Sequence, residues 1–215
     1  MPGDDSRLQG FQRGGTAADA FRYLRSNEEQ ELLTAQGLPP YTELSRRGRG
    51  WQAMTTAAVA GLVVRPDTVA KFTLWNGETG ATARSYVIDR VWAFNLVTTA
   101  AISGYSIWAC VHPAGMAAVT ADITAINSMN GGSAYTGSAK LDVGATVADD
   151  GWFPLNTGTL TGGVTTAPSG AQVVDVGGRF IVQPTGGFSI QVVSTIVGLT
   201  FTTGLSWFEV LLDNE

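Results

Sequence analysis

From residue 57 to the C-terminus, the sequence is a succession of short apolar runs separated by turn residues, at spacings of about 8 to 12 residues. β-branched and aromatic residues fill the runs, and Gly, Pro, Asn and Asp lie between them, which is typical of a β-sandwich or a β-barrel. The predicted strands are 57–64, 70–75, 85–97, 105–112, 143–147, 172–176, 179–183, 188–196, 199–203 and 205–212. The sequence therefore predicts one all-β domain over residues 51–215.

The turn residues also predict which strands are neighbours. "QPTGGF" follows 179–183 and "NGETG" follows 70–75. Proline presets φ and glycine accepts positive φ, so each of these turns predicts a β-hairpin with the next strand. The last strand, "LSWFEVLL", is apolar on both alternate sets of residues. We expect the facing sheet to cover one side of it and a neighbouring subunit to cover the other.

Residues 1–50 form a separate, partly helical arm in this interpretation. The segment 16–36 contains good helix formers with apolar residues at helical spacing, and Gly37 and Pro39–Pro40 end the pattern. In the sequence that follows, "GLPPYTELSRRGRGW", the two prolines predict an extended entry and "RRGRG" predicts solvated, flexible links. Its apolar residues are too few to make a core, so they must dock on this domain or on another subunit. The candidate subunit contacts are Leu38, Tyr41, Leu44 and Trp51.

Charge is scarce in this chain. Charged residues make up 14% of it, against ~25% in ordinary soluble domains. A surface with so few charges suits a subunit that is covered by neighbours, so we expect assembly with copies of itself. The net charge is −5, and the first 50 residues balance seven arginines with seven acidic residues. We therefore expect no direct binding to nucleic acid, which requires a basic footprint.

The sequence predicts neither a secretory signal nor a membrane-spanning segment. The N-terminus "MPGDDSRLQG" has early acidic residues and no apolar core, unlike a secretory signal. One cysteine, Cys110, excludes an intramolecular disulfide. Residues 91–121 carry no formal charge, but polar residues and Pro113 interrupt them and they alternate as two strands around a turn. We expect synthesis in a cytoplasm and no membrane span.

Catalytic chemistry has few candidates. His112 is the single histidine, and no G-x-S-x-G motif accompanies it, so we expect it to be structural rather than part of a Ser-His-Asp triad. Cys110 and His112 lack a third group to orient a dyad. Asp149 and Asp150 could line a calcium site or a glycosidase pair, but Gly151 after them favours a turn. We predict no catalytic residue, no metal, no cofactor and no enzymatic activity.

One tryptophan is a candidate ligand contact. Most of the six tryptophans lie inside apolar strands, where core packing is expected. Trp152 lies instead in the loop "DDGWFP" beside two carboxylates, and exposed aromatic rings stack on pyranose faces. Trp152 is therefore the candidate residue for glycan binding.

A low-charge β-domain that follows an arm and ends "GRFIVQPTGGFSIQVVSTIVGLTFTTGLSWFEVLL" resembles the jelly-roll structural proteins of viruses. It is similar in particular to capsid-associated proteins of bacteriophages, with blocks such as "LPPYTELSRRGRGW", "SYVIDRV" and "VADDGWFP". The likeness covers most of the chain. The charge-balanced arm departs from the basic arms of coat proteins that package RNA.

This resemblance implies a jelly-roll β-sandwich that carries an N-terminal arm. It implies a capsid or capsid-associated subunit, located in the virion, whose partners are copies of itself and other virion proteins. The alternative is a receptor- or glycan-binding module of a virion spike or tail.

Overall fold

The structure is a computed structural model, and it describes residues 8–11, 21–24, 41–97, 103–129, 135, 137–160 and 170–212. The chain divides into two units, Met1–Pro40 and Tyr41–Glu215. In the first unit, β1 (Leu8–Phe11) pairs antiparallel with β2 (Phe21–Leu24). A strand therefore occupies residues for which a helix was predicted, because helical spacing in a short segment says nothing of a pairing partner. The remainder of the predicted helix lies outside the described residues.

The second unit is an all-β sandwich of two antiparallel sheets, as the sequence predicted. Its described elements are α1 (Thr42–Arg46), β3 (Gly50–Met54), β4 (Val59–Ala60), β5 (Phe72–Asn76), β6 (Ser85–Val97), β7 (Ser103–His112), β8 (Ile126–Asn127), β9 (Ala139–Asp142), β10 (Phe153–Leu160), β11 (Gly170–Val182), β12 (Gly187–Ser194) and β13 (Thr200–Val210). The first sheet has the order β10-β7-β12-β5-β9. The second sheet has the order β11-β6-β13-β3-β8, and β4 also pairs with β13.

Strand pairing in the two sheets is nested. Strands β3, β5, β6 and β7 pair, in that order, with β13, β12, β11 and β10. The first set runs forward along the chain and the second runs backward, so the eight strands form one long antiparallel ribbon. When this ribbon wraps around the core, β13 comes to lie beside β6 and β12 beside β7.

The two predicted hairpins are wrong, although their turns are present. Thr185 has a φ of 63°, and the Gly186 amide donates to the Gln183 carbonyl at 3.0 Å. The flanking strands β11 and β12 nevertheless lie in opposite sheets, and so do β5 and β6. A turn only reverses the chain, whereas burial decides which strands pair. Here Phe180 of β11 meets Phe188 of β12 across the core, with ring centroids 5.8 Å apart.

Several strand bounds also differ from the prediction. The runs 172–176 and 179–183 form the single strand β11, with a bulge between Asp175 and Phe180 where Gly177 and Gly178 have positive φ. The last two predicted runs are likewise one strand, β13. Residues 143–147 contain no named strand, and β3 lies where the arm was expected to end.

The core lies between the two sheets. Along β12, Phe188, Ile190 and Val192 are fully buried at the period of two that a strand dictates. From the second sheet, Phe201 and Trp207 meet them with no exposed surface. Each such side chain contributes roughly 1.5–3 kcal/mol by leaving water, so this layer stabilises the sandwich.

A second, smaller cluster covers the outer face of the first sheet. Cys110 of β7 points away from the core and packs with Ala70, Ala145, Val147 and Trp152. Three of these come from the segment between β9 and β10. The first sheet is thus covered on both faces by its own chain.

Lys71 is a buried cation beside β4. It is 3% exposed, and its Nζ donates to the carbonyl of Val59 and, at 3.1 Å, to that of Ala60. Its Nζ also lies 5.4 Å from the centre of the Phe201 ring. Among the described residues no carboxylate forms an ion pair with it. Burial lowers the pKa of Lys71 to about 7.

This burial predicts a pH dependence of stability. Between pH 7 and the ordinary lysine pKa of about 10.4, the unfolded chain holds a proton at Lys71 that the folded chain does not. The free energy of unfolding should therefore rise with pH through this window. Below the window, the folded chain bears the full cost of burying the charged Lys71 side chain. Lys71→Met should remove that rise. The free energy of unfolding of this variant should therefore exceed that of wild type by more at pH 7 than at pH 10. Urea unfolding across this range measures it.

The matched control is Lys140→Met, since Lys140 is the only other lysine in the chain. It corrects for the loss of one positive charge. An identical pH dependence in wild type and Lys71→Met would contradict the prediction.

Candidate functional site

The outer face of the second sheet is apolar at one end. Residues Val91, Ala93 and Asn95 of β6 point into the core, so Trp92, Phe94 and Leu96 point outward. Outward residues in an antiparallel sandwich are usually polar. We define the outer apolar face as Met54, Trp92, Phe94, Leu96 and Ile126, of which Met54 and Ile126 are each 45% exposed.

The Trp92 side chain of this face packs closely against a glycine of the neighbouring strand. A Cβ on Gly204 of β13 would lie 2.6 Å from Nε1 of Trp92 and 2.4 Å from the Ala53 carbonyl oxygen. The indole therefore lies directly over the glycine backbone, and a larger residue at 204 would displace it.

A groove of about 820 Å³ runs beside the outer apolar face. Met54, Phe94, Leu96, Ile123 and Ile126 supply its apolar walls, and several threonines supply hydroxyl groups. Among the described residues that line it, one is charged, an aspartate. Unlike the outer face of the first sheet, this surface has no covering segment among the described residues. A groove of this character accepts apolar side chains.

The opposite end of the same sheet face is covered by the chain itself. The Tyr41 ring stacks on Phe208 of β13 with a centroid distance of 4.5 Å, and the Tyr41 hydroxyl donates to the Gly177 carbonyl at 3.4 Å. Leu44, in α1, is half-buried. Phe208, on the outer side of the last strand, is thus covered by Tyr41 of the same chain, and cover of this strand by a neighbouring subunit stays a prediction.

The predicted contact residues divide accordingly. Trp51 is 7% exposed in β3 and makes an edge-to-face contact with Tyr135 at 4.7 Å, so it belongs to the core of its own domain. Tyr41 and Trp51 follow the first of the two expectations, docking on this domain. Leu38 lies outside the described residues, and its role as a subunit contact stays a prediction.

A hydrogen-bonded relay lies under the loop that covers the first sheet. His112 Nδ1 is 2.7 Å from Asp150 Oδ2, and His112 Nε2 is 2.8 Å from Ser189 Oγ. Ser189 Oγ is in turn 3.0 Å from Thr73 Oγ1. With the proton on Nδ1 directed at Asp150, Nε2 accepts from the Ser189 hydroxyl, which is the tautomer of a Ser-His-Asp triad.

The surroundings of Ser189 favour fastening rather than catalysis. Ser189 has no exposed surface and His112 is 1% exposed. A neighbouring cavity of about 360 Å³ is lined by His112 and Asp150, but Ser189 does not line it. A nucleophile needs a position beside the reacting carbon, whereas this hydroxyl is buried and is within hydrogen-bonding distance of the imidazole and of Thr73. The relay ties the loop at Asp150 to strands β5, β7 and β12.

The neighbouring thiol is not an activated nucleophile. Cys110 Sγ lies 3.9 Å from His112 Nδ1, a nitrogen already engaged by Asp150. Burial raises the pKa of the Cys110 thiol to about 11, so it stays protonated at neutral pH.

Asp149 forms the turn that the sequence predicted. Its Oδ1 accepts from the Gly151 amide at 3.2 Å, and Gly151 has a φ of 105°. Arg65 grips the same carboxylate with two contacts, of 2.7 and 3.1 Å, and the pKa of Asp149 falls to about 2 mainly through that side-chain bond. Among the described residues, no group of three or more His, Cys, Asp or Glu is placed to hold a metal ion.

The glycan hypothesis for Trp152 does not fit its position. Trp152 is 5% exposed, packs in the cluster with Cys110, and donates from Nε1 to the Asp67 carbonyl at 2.7 Å. A sugar stacks on an exposed ring face, and this ring has none. The loop position misled because a loop that covers a sheet buries its own aromatic residue.

Sequence reasoning missed the relay and the outer apolar face for different reasons. Asp150 and Ser189 lie 38 and 77 residues from His112, so only the fold brings them together. The outer apolar face did leave a signal in "VWAFNLV" of β6, where the outward residues Trp92, Phe94 and Leu96 are all apolar.

No protein-family model and no curated protein matches this chain. Within the described residues, none of the helices has the length and apolar character to cross a membrane.

Removing the imidazole should destabilise the fold. His112→Ala should lower the free energy of unfolding by about 2–4 kcal/mol, because it leaves a cavity and removes the buried hydrogen bonds of the imidazole to Asp150 and Ser189. In a double-mutant cycle with Asp150→Ala, the double mutant should lose less free energy of unfolding than the sum of the two single losses, by about 1 kcal/mol or more. Urea unfolding measures each variant. The control is Asp175→Ala, which removes a surface ion pair with Arg90; its loss should simply add to that of His112→Ala. Additive losses for His112→Ala and Asp150→Ala would contradict the coupling of the relay.

A covalent probe separates the structural role from a catalytic one. Because Ser189 is buried, the folded protein should not be labelled by a fluorophosphonate under conditions that label an authentic serine hydrolase. Mass spectrometry of the treated protein gives the result. Adduct formation at Ser189 that disappears in His112→Ala would overturn the fastening role.

Proposed function

We propose that this chain is a viral structural protein, a capsid or capsid-associated subunit, and that its β-sandwich is a jelly roll. It assembles with copies of itself, in the virion, and has no enzymatic role. Three features support the proposal: the nested strand pairing, the outer apolar face and the distribution of charge.

The nested pairing supports the jelly roll. An eight-stranded jelly roll consists of two sheets formed by two Greek keys, an arrangement used by viral capsid and lectin domains. The ribbon of β3, β5, β6 and β7 against β13, β12, β11 and β10 has the strand orders expected when such a ribbon wraps around one core. Strands β8 and β9 extend the two sheets beyond β3 and β5.

Of the two roles of this architecture, assembly has the better physical support. The alternative, a receptor- or glycan-binding module of a virion spike or tail, had Trp152 as its candidate glycan contact, and that ring is buried. The outer apolar face, in contrast, places Met54, Leu96 and Ile126 in water at 37–45% exposure. That surface gains free energy only when another apolar surface covers it. It is the observation that carries the proposal.

In this proposal, the part of the arm that contacts a neighbouring subunit precedes Tyr41. Tyr41, α1 and Trp51 pack on their own sandwich, so the crossing segment must precede them. The balanced charge of the first 50 residues suits contact with protein rather than with nucleic acid.

A charge on the outer apolar face should block assembly. Wild-type protein should form large species, and Leu96→Asp should remain unassembled, because an unpaired carboxylate in an apolar interface costs several kcal/mol. Sedimentation velocity and electron microscopy measure the outcome, and circular dichroism checks that the fold is retained. Val64→Asp is the matched control, since Val64 is 64% exposed and lies outside the groove; it should assemble. A wild-type chain that stays monomeric at high concentration would sink the proposed function.

A further inference from the structure

A cleft opens between the two segments that pack on the outer face of the first sheet. One wall is the segment that follows β7, and the other belongs to the segment between β9 and β10. The cleft encloses about 360 Å³ and is lined by residues 112–117, residues 146–148 and Asp150. We call it the cover cleft. Its volume lies at the lower end of the range of small-ligand sites.

Hydrogen bonds to neighbouring segments hold both walls of the cover cleft. The Met116 amide donates to the Thr185 carbonyl at 3.0 Å, and the Met116 carbonyl accepts from Trp75 Nε1 at 3.2 Å. On the other wall, the Val147 amide donates to the Thr68 carbonyl at 2.9 Å. The cleft is therefore preformed, and a ligand that enters it has little backbone to order.

The fixed charge of the cover cleft is negative. Asp150 lines it, and among the described residues of the lining there is no lysine or arginine. Asp150 Oδ2 is 2.7 Å from His112 Nδ1, whereas Oδ1 accepts no hydrogen bond from any described residue. Arg65 binds the adjacent Asp149 with two contacts instead. The cleft thus holds a carboxylate with an unused acceptor oxygen.

The other side chains of the cover cleft are mostly apolar. Pro113, Met116 and Val147 line it together with three alanines, and Thr146 adds a hydroxyl group. A metal ion prefers several oxygen or nitrogen ligands, and no group of three or more His, Cys, Asp or Glu is placed to supply them among the described residues. An organic cation suits this lining better. Its charged group donates to the carboxylate, and its aliphatic part packs on the apolar walls.

We infer that the cover cleft binds a primary ammonium group on a short aliphatic chain, with Asp150 as its anionic partner. A free alkylamine and a protein lysine side chain both carry this group. The cleft lies on the first sheet, away from the outer apolar face, so this inference does not depend on the proposed function.

Saturation-transfer difference NMR of the full-length chain tests the inference with n-butylammonium as the probe. The method observes the ligand, so it serves for single chains and for large assemblies. Butan-1-ol, a neutral molecule of similar shape, should bind about tenfold more weakly, because it loses the charge-assisted hydrogen bond. Equal affinity for the two probes would contradict a role for the carboxylate.

Asp150→Asn removes the charge and keeps an oxygen that accepts from His112. Its affinity for n-butylammonium should be about tenfold lower than that of wild type. The matched control is Asp175→Asn, which removes one negative charge from a side chain that is 75% exposed; it should bind as wild type does. Circular dichroism checks that both variants are folded. Equal affinity of wild type and Asp150→Asn would overturn the inference.

A second pair of variants locates the bound probe. Ala148 is exposed and lines the cleft, so Ala148→Trp should fill it and abolish the signal. Val197→Trp adds the same bulk at a residue that is 77% exposed and outside the cleft, and it should leave the signal unchanged. Binding that survives Ala148→Trp would overturn the assignment to this cleft.

The source of the ammonium group is identified by a comparison of two probes. Tighter binding of Nα-acetyl-lysine methylamide than of n-butylammonium would support a protein lysine side chain as the natural ligand. Tighter binding of n-butylammonium would support a free amine. Absence of a signal from both probes would overturn the inference.

Discussion

Burial of the inner faces of the two sheets is the interaction on which the rest of the structure depends. Phe188 and Ile190 of β12 meet Phe201 and Trp207 of β13, and these two strands lie at the centre of their sheets. Each central strand is hydrogen-bonded to a strand on either side, and the outer strands pair with those neighbours in turn. The packing of β12 on β13 therefore sets the positions of the other strands. The covering loop, the relay and the outer apolar face are all placed by this central pair.

The two outer faces differ because, within the described residues, the segment between β9 and β10 packs on the first sheet and not on the second. The segment between β9 and β10 buries Trp152 against Cys110, and the relay through His112 fastens it with hydrogen bonds to Asp150 and Ser189. No described segment does the same for Leu96 on the other sheet. A covered face contributes to the stability of one chain, whereas an uncovered apolar face contributes only when chains associate. This difference connects the fold to the proposed assembly.

Local patterns predicted strands well and their partners poorly. The bounds of β6, 85–97, coincide with the predicted ones, because alternation over thirteen residues is a strong local signal. The turn at Thr185 was also predicted, but β11 and β12 leave it for different sheets. A turn sequence predicts where one strand ends and the next begins, but it does not predict which strands pair. The pairing of β3 with β13, at opposite ends of the domain, is decided by which faces are buried together.

The sequence by itself determined the β class, the shortage of charge and the turn at Asp149, because each depends on residue type and on neighbours a few positions away. Tertiary structure alone decided that Trp152 is buried, that Tyr41 and Trp51 dock on their own domain, and that His112 meets Asp150 and Ser189. The physical reason is that burial is a property of a surface and of what covers it. In a nested ribbon the covering residues come from distant parts of the chain, so no local pattern can identify them.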